Sequence, residues 1–240
     1  MGQAVSRYEM IEDGDRILVG VSGGKDSLVM LWLLNERLAR IPVHYTLYPV
    51  YIDLGFKPDF SDRLKQYLKT AGFDLIVDHT DFGPVAHSKI NRENPCFLCA
   101  RRRRQRLFEI GDELGCRKIA LGHNQDDLIE TLFLNMCYAG ELSTMVPLQK
   151  FFKGAITILR PLAHAAENDI RRFADQINLP VFTNPCPSSG KSRRQEIKDL
   201  LKTLYRRNRK IKGNIFRAMH HVNLDYLPHP AAPAYAKGRS

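Results

Sequence analysis

Between residues 16 and 177, short apolar runs alternate with stretches of helical periodicity, and this alternation constrains the fold more than any other feature of the chain. Residues 16–21, 44–53, 75–79, 118–122 and 156–159 read as strands. Residues 27–39, 59–71, 100–114, 126–138 and 167–177 read as helices; Leu28, Leu31, Leu34 and Leu38 share one face of the first, and Pro42 and Gly72 mark the ends of the first two. Strands joined through helices cannot close as hairpins. Each crossover returns the chain parallel, so the expected fold is α/β, a doubly wound and mostly parallel five-stranded sheet. Residues 81–95, rich in Gly, Pro and Asn, read as a loop, and strand signals cease beyond Pro187. The expected organisation is a main domain over residues 1–187, a basic helical C-terminal extension over 188–227, and a mobile Pro/Ala-rich tail over 228–240.

Composition narrows the function classes. At 44% hydrophobic and 26% charged residues, the chain can build a core and is neither disordered nor collagen-like. No window reaches about 18 uninterrupted apolar residues, and residues 1–16 hold acidic groups and no apolar signal core, so the expectation is no membrane and a cytoplasmic location. The formal net charge of +10 predicts a polyanionic partner. That charge is concentrated. Arg101, Arg102, Arg103 and Arg104 form one run, and residues 191–217 carry a second basic block, including Arg206, Arg207, Arg209 and Lys210, against only Glu196 and Asp199. Charge runs often serve as solvated surface, but two such blocks beside a balanced body fit nucleic acid.

Two elements carry chemistry. Ser22-Gly23-Gly24-Lys25-Asp26-Ser27 stands where the first strand ends and the first helix begins. Ligands of an open α/β sheet bind there, and a helix N-terminus offers free N–H groups to an anion. Gly23 and Gly24 permit close backbone approach, Lys25 adds a cation, and Ser22 and Ser27 add hydroxyls. It is not a Walker A loop, because Val19 replaces its first glycine and Asp26 follows the lysine. The second element, Gly122-His123-Asn124-Gln125-Asp126-Asp127, follows the fourth strand and faces the same end of the sheet. Asp126 and Asp127 suit a helix start whatever the function. Beside a phosphate cradle they are also a candidate Mg2+ or substrate site, with Asp127 favoured. His123 fits either a turn hydrogen bond or a substrate contact.

These residues resemble the PP-loop ATP pyrophosphatases, whose SGGxDS loop holds the pyrophosphate part of ATP and which carry a GHxxDD signature. The resemblance implies cleavage of ATP between its α and β phosphates, with AMP transferred to a substrate oxygen. It implies that Ser22, Gly23, Gly24, Lys25, Asp26, Ser27 and Gly122 contact ATP, that Asp53 at the end of the second strand lies near adenosine, and that Lys25, Asp26 and Asp127 act in catalysis. Asp26 and Asp127 would hold Mg2+, which neutralises charge on the departing pyrophosphate.

Five cysteines in a chain of this length argue for free thiols rather than a disulfide framework. Cys96-Phe97-Leu98-Cys99 opens the arginine-rich helix, and Asn184-Pro185-Cys186 echoes Asn94-Pro95-Cys96. Cys116 and Cys137 read as small buried hydrophobes. Three thiolates are one short of a closed tetrahedral zinc site, whereas an iron-sulfur cluster on three cysteines leaves one iron open. With the stretches at 118–123, 127–136 and 213–217, this pattern resembles the tRNA 2-thiocytidine synthetase family over residues 16–222. The resemblance implies a 4Fe-4S cluster on Cys96, Cys99 and Cys186, tRNA as partner, a sulfur donor system, a homodimer, and thiolation of an anticodon-loop cytidine at tRNA position 32. Arg103, four residues after Cys99, shares its helix face and is expected near phosphate or cluster. Where the family has a second CxxC, this chain has Cys186 followed by Pro187, Ser188 and Ser189. Two rival readings remain: a cluster-independent PP-loop ligase of lysidine or small-molecule type, and a non-catalytic iron-sulfur RNA-binding protein, against which the intact 22–27 loop argues.

Overall fold

In chain order the computed structural model has α1 (Gly2–Arg7), β1 (Asp15–Gly20), α2 (Lys25–Leu38), β2 (Tyr45–Asp53), α3 (Ser61–Thr70), β3 (Ile76–His79), α4 (Phe82–Ala86), α5 (Pro95–Glu113), β4 (Lys118–Leu121), α6 (Gln125–Leu134), β5 (Leu148–Phe151), β6 (Ile156–Leu159), α7 (Glu167–Gln176), α8 (Arg193–Arg207) and α9 (Lys210–Ala218). It describes residues 1–188, 190 and 192–227; Ser189, Lys191 and the expected mobile tail over 228–240 lie outside the described residues.

The strands form one sheet in the order β3-β2-β1-β4-β6-β5, with every pairing parallel except β5 with β6. Side chains alternate across a strand, yet Ile17, Leu18 and Val19 of β1 are all fully buried. Such a strand requires cover on both faces. Ile17 and Val19 pack with Leu28, Leu31 and Leu34 of α2 and Ile170 and Ala174 of α7, while Leu18 packs with Leu107 and Ile110 of α5 on the other face. Burying each of these aliphatic side chains contributes roughly 1.5–3 kcal/mol, which explains why the strands read as continuous apolar runs.

The sheet has six strands, a correction to the five expected. The added strand, β5, is a four-residue antiparallel edge with one neighbour, and its Leu148 and Phe151 are only partly buried. The sequence Leu-Gln-Lys-Phe therefore carries neither alternation nor a long apolar run. Two helices also depart from expectation. α5 starts at Pro95 rather than 100, because the Asn94 side chain accepts from the N–H groups of Cys96 and Phe97 and Pro95 needs no donor in the first turn. α6 ends at Leu134 and passes into a π turn over Asn135–Ala139, whose wider winding moves Cys137 off the buried face. Cys116 is buried as expected, but Cys137 is exposed.

The chain divides into compact units between Ile197 and Lys198. Within the second, Arg206, Arg207, Arg209 and Lys210 are exposed around the end of α8 and the start of α9. Among the described residues no helix is long and apolar enough to cross a membrane.

In the first unit, the chain leaves β1 toward β2 on one side and places β4 on the other. The strand order reverses there, and this opens a crevice at the carboxyl ends of β1 and β4, where the 22–27 and 122–127 segments lie.

Candidate functional site

The 22–27 loop is shaped by its own side chains. The Ser27 hydroxyl accepts from the Ser22 N–H at 3.0 Å, donates to the Gly24 carbonyl at 2.9 Å and lies 3.1 Å from the Ser22 hydroxyl. Gly23 has φ +79°, and a Cβ on it would stand 2.8 Å from the Phe60 ring. Gly24 is the N-cap of α2, so the first-turn amides of that helix face the crevice side without intrahelical partners. A Cβ on Gly122 would stand 2.9 Å from the Ser27 backbone nitrogen. Gly122 is therefore the residue that lets the second segment press against the loop.

Carboxylates link three helix starts. Lys25 Nζ lies 3.2 Å from Asp26 Oδ2 and 3.2 Å from Glu167 Oε1, at the start of α7. The Glu167 N–H donates to Asp126 Oδ2 at 2.7 Å. Asn124 is buried and closes a capping box with Asp127: its side chain accepts from the N–H groups of Asp126 and Asp127, and its own N–H donates to Asp127 Oδ2 at 2.9 Å. The Asn124 amide reaches Asp26 Oδ1 at 3.4 Å. Asp26 lines the cavity described next, while Asp127 caps α6 and lies 3.9 Å from Arg194.

A cavity of about 680 Å³ extends from the 22–27 loop across the sheet edge. Ser22, Asp26, Ser27, Asp53 and Gly122 line it, and so do Ala100, Arg103, Arg104, Asn184, Pro185 and Arg160. Asp53 is buried and fixed, accepting from the Gly55 N–H and pairing with His79 Nδ1 at 3.0 Å. His123 also lines the cavity, and its Nδ1 is sealed from solvent without a partner. Burial, followed by the charges of Arg160, Arg194, Arg103 and Arg104, pushes its pKa down to about 3, so the ring is neutral at physiological pH. Arg103 keeps solvent contact yet is surrounded by protein, as a charge inside a water-accessible cavity must be. Burial lowers its pKa, the Cys99 thiol opposes that, and Arg104 adds to it.

Cys96 lies in the first turn of α5, Cys99 one turn on, and Cys186 follows the second Asn-Pro, where Asn184 again accepts from a cysteine N–H. The Cys99 thiol is pushed up by burial, pulled back by Arg103, and pushed further by Cys186 and Cys96, which places the three sulfurs in one electrostatic neighbourhood. Thiolates on a single zinc ion at about 2.3 Å would stand roughly 3.8 Å apart. Among the described residues the ligand atoms gathered within 4.8 Å of one another are those of Asp53, Asp59 and His79, and the three thiols are not all within that distance of one another. Three soft, free sulfur donors in one neighbourhood, with the Arg103 cation beside them, fit an iron-sulfur group.

Sequence reasoning missed Glu167, Asn124 as a link to Asp26, Arg104, Arg160 and Arg194. Arg160 carried a signal, since it is the first residue beyond the carboxyl end of a strand. Glu167 carried none, because its tie to Lys25 spans 142 residues.

Residues 3–204 match the PP-loop domain family, and the chain belongs to it. Within it, the chain is 36% identical over 230 residues to the tRNA-cytidine(32) 2-sulfurtransferase of Geotalea uraniireducens, covering 95% of this chain and 91% of that one. It is 39% identical to the protein of that name from Geobacter metallireducens, covering 95% and 90%. The chain is thus a member of the tRNA-cytidine(32) 2-sulfurtransferase family. Among solved structures it is similar to the U34-tRNA thiolase NcsA from Methanococcus maripaludis with its 4Fe-4S cluster, at a TM-score of 0.75 and 26% identity over 94% of this chain and 78% of that chain. The NH3-dependent NAD synthetase of Campylobacter jejuni, at TM-score 0.50 and 14% identity over 96% and 95%, shares the fold alone.

Proposed function

We propose that this protein is an ATP-dependent tRNA sulfurtransferase that adenylates the C2 oxygen of an anticodon-loop cytidine, position 32 as in the name of its relatives, and exchanges that oxygen for sulfur. The observation that carries this reading is the shared cavity, lined both by the phosphate loop and by residues adjoining Cys99 and Cys186. Activation and sulfur delivery can then act on one base without its release.

In the first step the cytidine C2 oxygen attacks the α-phosphorus. A P–O bond forms, the bond to the β-phosphate oxygen breaks, and pyrophosphate departs into the 22–27 loop. Hydrosulfide then attacks C2, the C2–O bond breaks, AMP leaves, and the sulfur-borne proton is released. Sulfur keeps its oxidation level, so no oxidant enters. The α2 first turn, Ser22 and Lys25 orient the leaving pyrophosphate. Asp26 is the cavity carboxylate suited to Mg2+, and Asp127 supports it from behind through Asn124. A 4Fe-4S cluster held by Cys96, Cys99 and Cys186 supplies, when bound, a carrier position for sulfide. Asp53, at the end of β2 and lining the same cavity, is the residue for which family resemblance supports a nucleoside contact.

The exposed basic residues 206, 207, 209 and 210 fit tRNA backbone contact. Family resemblance supports a homodimer, a cytoplasmic location and a separate sulfur donor system. Prepared anaerobically and given ATP, Mg2+, sulfide and tRNA, the protein is expected to produce 2-thiocytidine in the digested tRNA, with one pyrophosphate per modified nucleotide, read by mass spectrometry. Thiolation undiminished after removal of iron, or pyrophosphate release without the thionucleoside, would overturn the reading.

A further inference from the structure

α5 sorts its arginines by what they meet. Arg101 pairs with Glu93 at 3.2 Å, and Arg106 pairs with Asp78, Glu109 and Glu113 at 3.0–3.3 Å. Arg103 and Arg104, on the same helix, line the cavity and have no carboxylate partner among the described residues. Arg160 joins them from the residue after β6 and likewise has none. Arg194, the remaining arginine of this wall, is held by Glu130 at 3.4 Å and Asp127 at 3.9 Å.

Arg160 is 5% exposed and rigidly placed. One terminal nitrogen donates to the Val146 carbonyl at 2.6 Å, the other to Gln149 Oε1 at 3.2 Å, and its Nε is sealed and unpartnered. Burial and the neighbouring Arg104 pull its pKa down to about 10. A cation buried like Arg160 without a carboxylate partner is costly, and the more exposed Arg103 and Arg104 bring two further guanidinium groups to the same cavity, which makes it a place for an anion.

Strand order says which anion. The pyrophosphate loop follows β1, Asp53 ends β2, and Arg160 follows β6, two strands beyond β1 on the opposite side. At about 4.8 Å per strand, that is roughly 10 Å past the loop, on the side away from β2 and Asp53. A nucleotide lying from β2 to the loop leaves this wall to the other substrate. We propose that Arg103, Arg104 and Arg160 form a second anion site, separate from the pyrophosphate loop, that grips the RNA phosphodiesters flanking the target cytidine. It rests on the tRNA reading above and adds to it: backbone capture beside the base would hold that base, turned out of its loop, over the crevice between β1 and β4.

The test uses the cluster-loaded protein and an anticodon stem-loop, either native or with uncharged methylphosphonates at the two linkages flanking cytidine 32. Arg104→Gln, on an exposed stretch of helix, should weaken binding of the native RNA about tenfold and lower the log–log salt slope by about 0.7. On the methylphosphonate RNA, wild type and variant should bind alike, and ATP affinity should be unchanged for both. Arg160→Gln should behave in the same way; if it does not fold, Arg104→Gln decides alone. Equal losses on both RNAs, or a loss of ATP affinity with RNA binding intact, would overturn the second site. Thiolation of the native stem-loop by wild type is scored separately: its failure with the coupling intact sinks the reaction assignment and leaves the anion site standing.

Discussion

Around residues 22–27 the groups that set the loop's shape are satisfied within the protein: Ser27 holds Ser22 and Gly24, and Lys25 is held by Asp26 and Glu167. In the same cavity, Arg103, Arg104 and Arg160 stand without acidic partners among the described residues, and burial together with their charges keeps His123 neutral. The first wall is a preformed mould whose fit depends on backbone geometry. The second is a strained field whose behaviour depends on charge. Perturbations of shape should therefore register at the loop, and perturbations of proton or counter-ion at the arginine wall.

The largest effect separates the two sides by function. Lys25→Ala and Asp26→Ala should lower tRNA-dependent pyrophosphate release on the order of 10²–10³-fold while iron content stays at the wild-type level. Cys96→Ala, Cys99→Ala or Cys186→Ala should lose iron and thiolation together while ATP binding persists. Iron analysis, isothermal titration with ATP and a pyrophosphate assay read both arms, and a cysteine variant that keeps its iron would merge the walls into one unit. Cys116→Ala and Cys137→Ala are expected to keep both iron and turnover.

A smaller effect concerns pH. His123 has its folded pKa lowered from 6.5 to about 3, so the unfolded chain takes up a proton at this residue that the folded chain refuses. Stability from this group is complete above pH 6.5 and is lost as pH falls toward 3. Between pH 7 and 5, wild type should lose about 2 kcal/mol more than His123→Gln in urea titrations. Parallel pH profiles for the two proteins would show that burial and the arginine charges do not hold the ring neutral. The smallest effect is on the mould side: Asn124→Ala removes the α6 cap and should cost about 1 kcal/mol, with the same increment at pH 5 and pH 7. An increment that grew with acidity would blur the contrast between geometry and charge.

The doubly wound sheet was legible because parallel strands buried on both faces write themselves as apolar runs, and the helices between them carry 3.6-residue periodicity. β5 was not, since a short edge strand with one neighbour needs neither pattern. The 22–27 loop and the Gly122 segment were legible because their glycines and hydroxyls act over a few residues. Gly122 proved to meet the Ser27 backbone, a closer structural duty than ligand contact. Cys137 was misjudged because the helical period assumed for it breaks at Asn135. Glu167 takes its meaning from Lys25, brought to it by the sheet, and one chain position at a time cannot show that, whereas Arg160 was legible only as the residue after a strand end.

The strand order also governs when this site can exist during synthesis. β1 pairs with β4 through Ile17–Lys118 to Gly20–Leu121, so the crevice has no second side until about half the chain has left the ribosome. Until then β1 presents an open edge that other nascent chains could pair with, and contacts of such long sequence separation form slowly. Arg160 and Glu167 emerge later still, so a growing chain completes the sheet's first half before the arginine wall and the Glu167 tie to Lys25 can form.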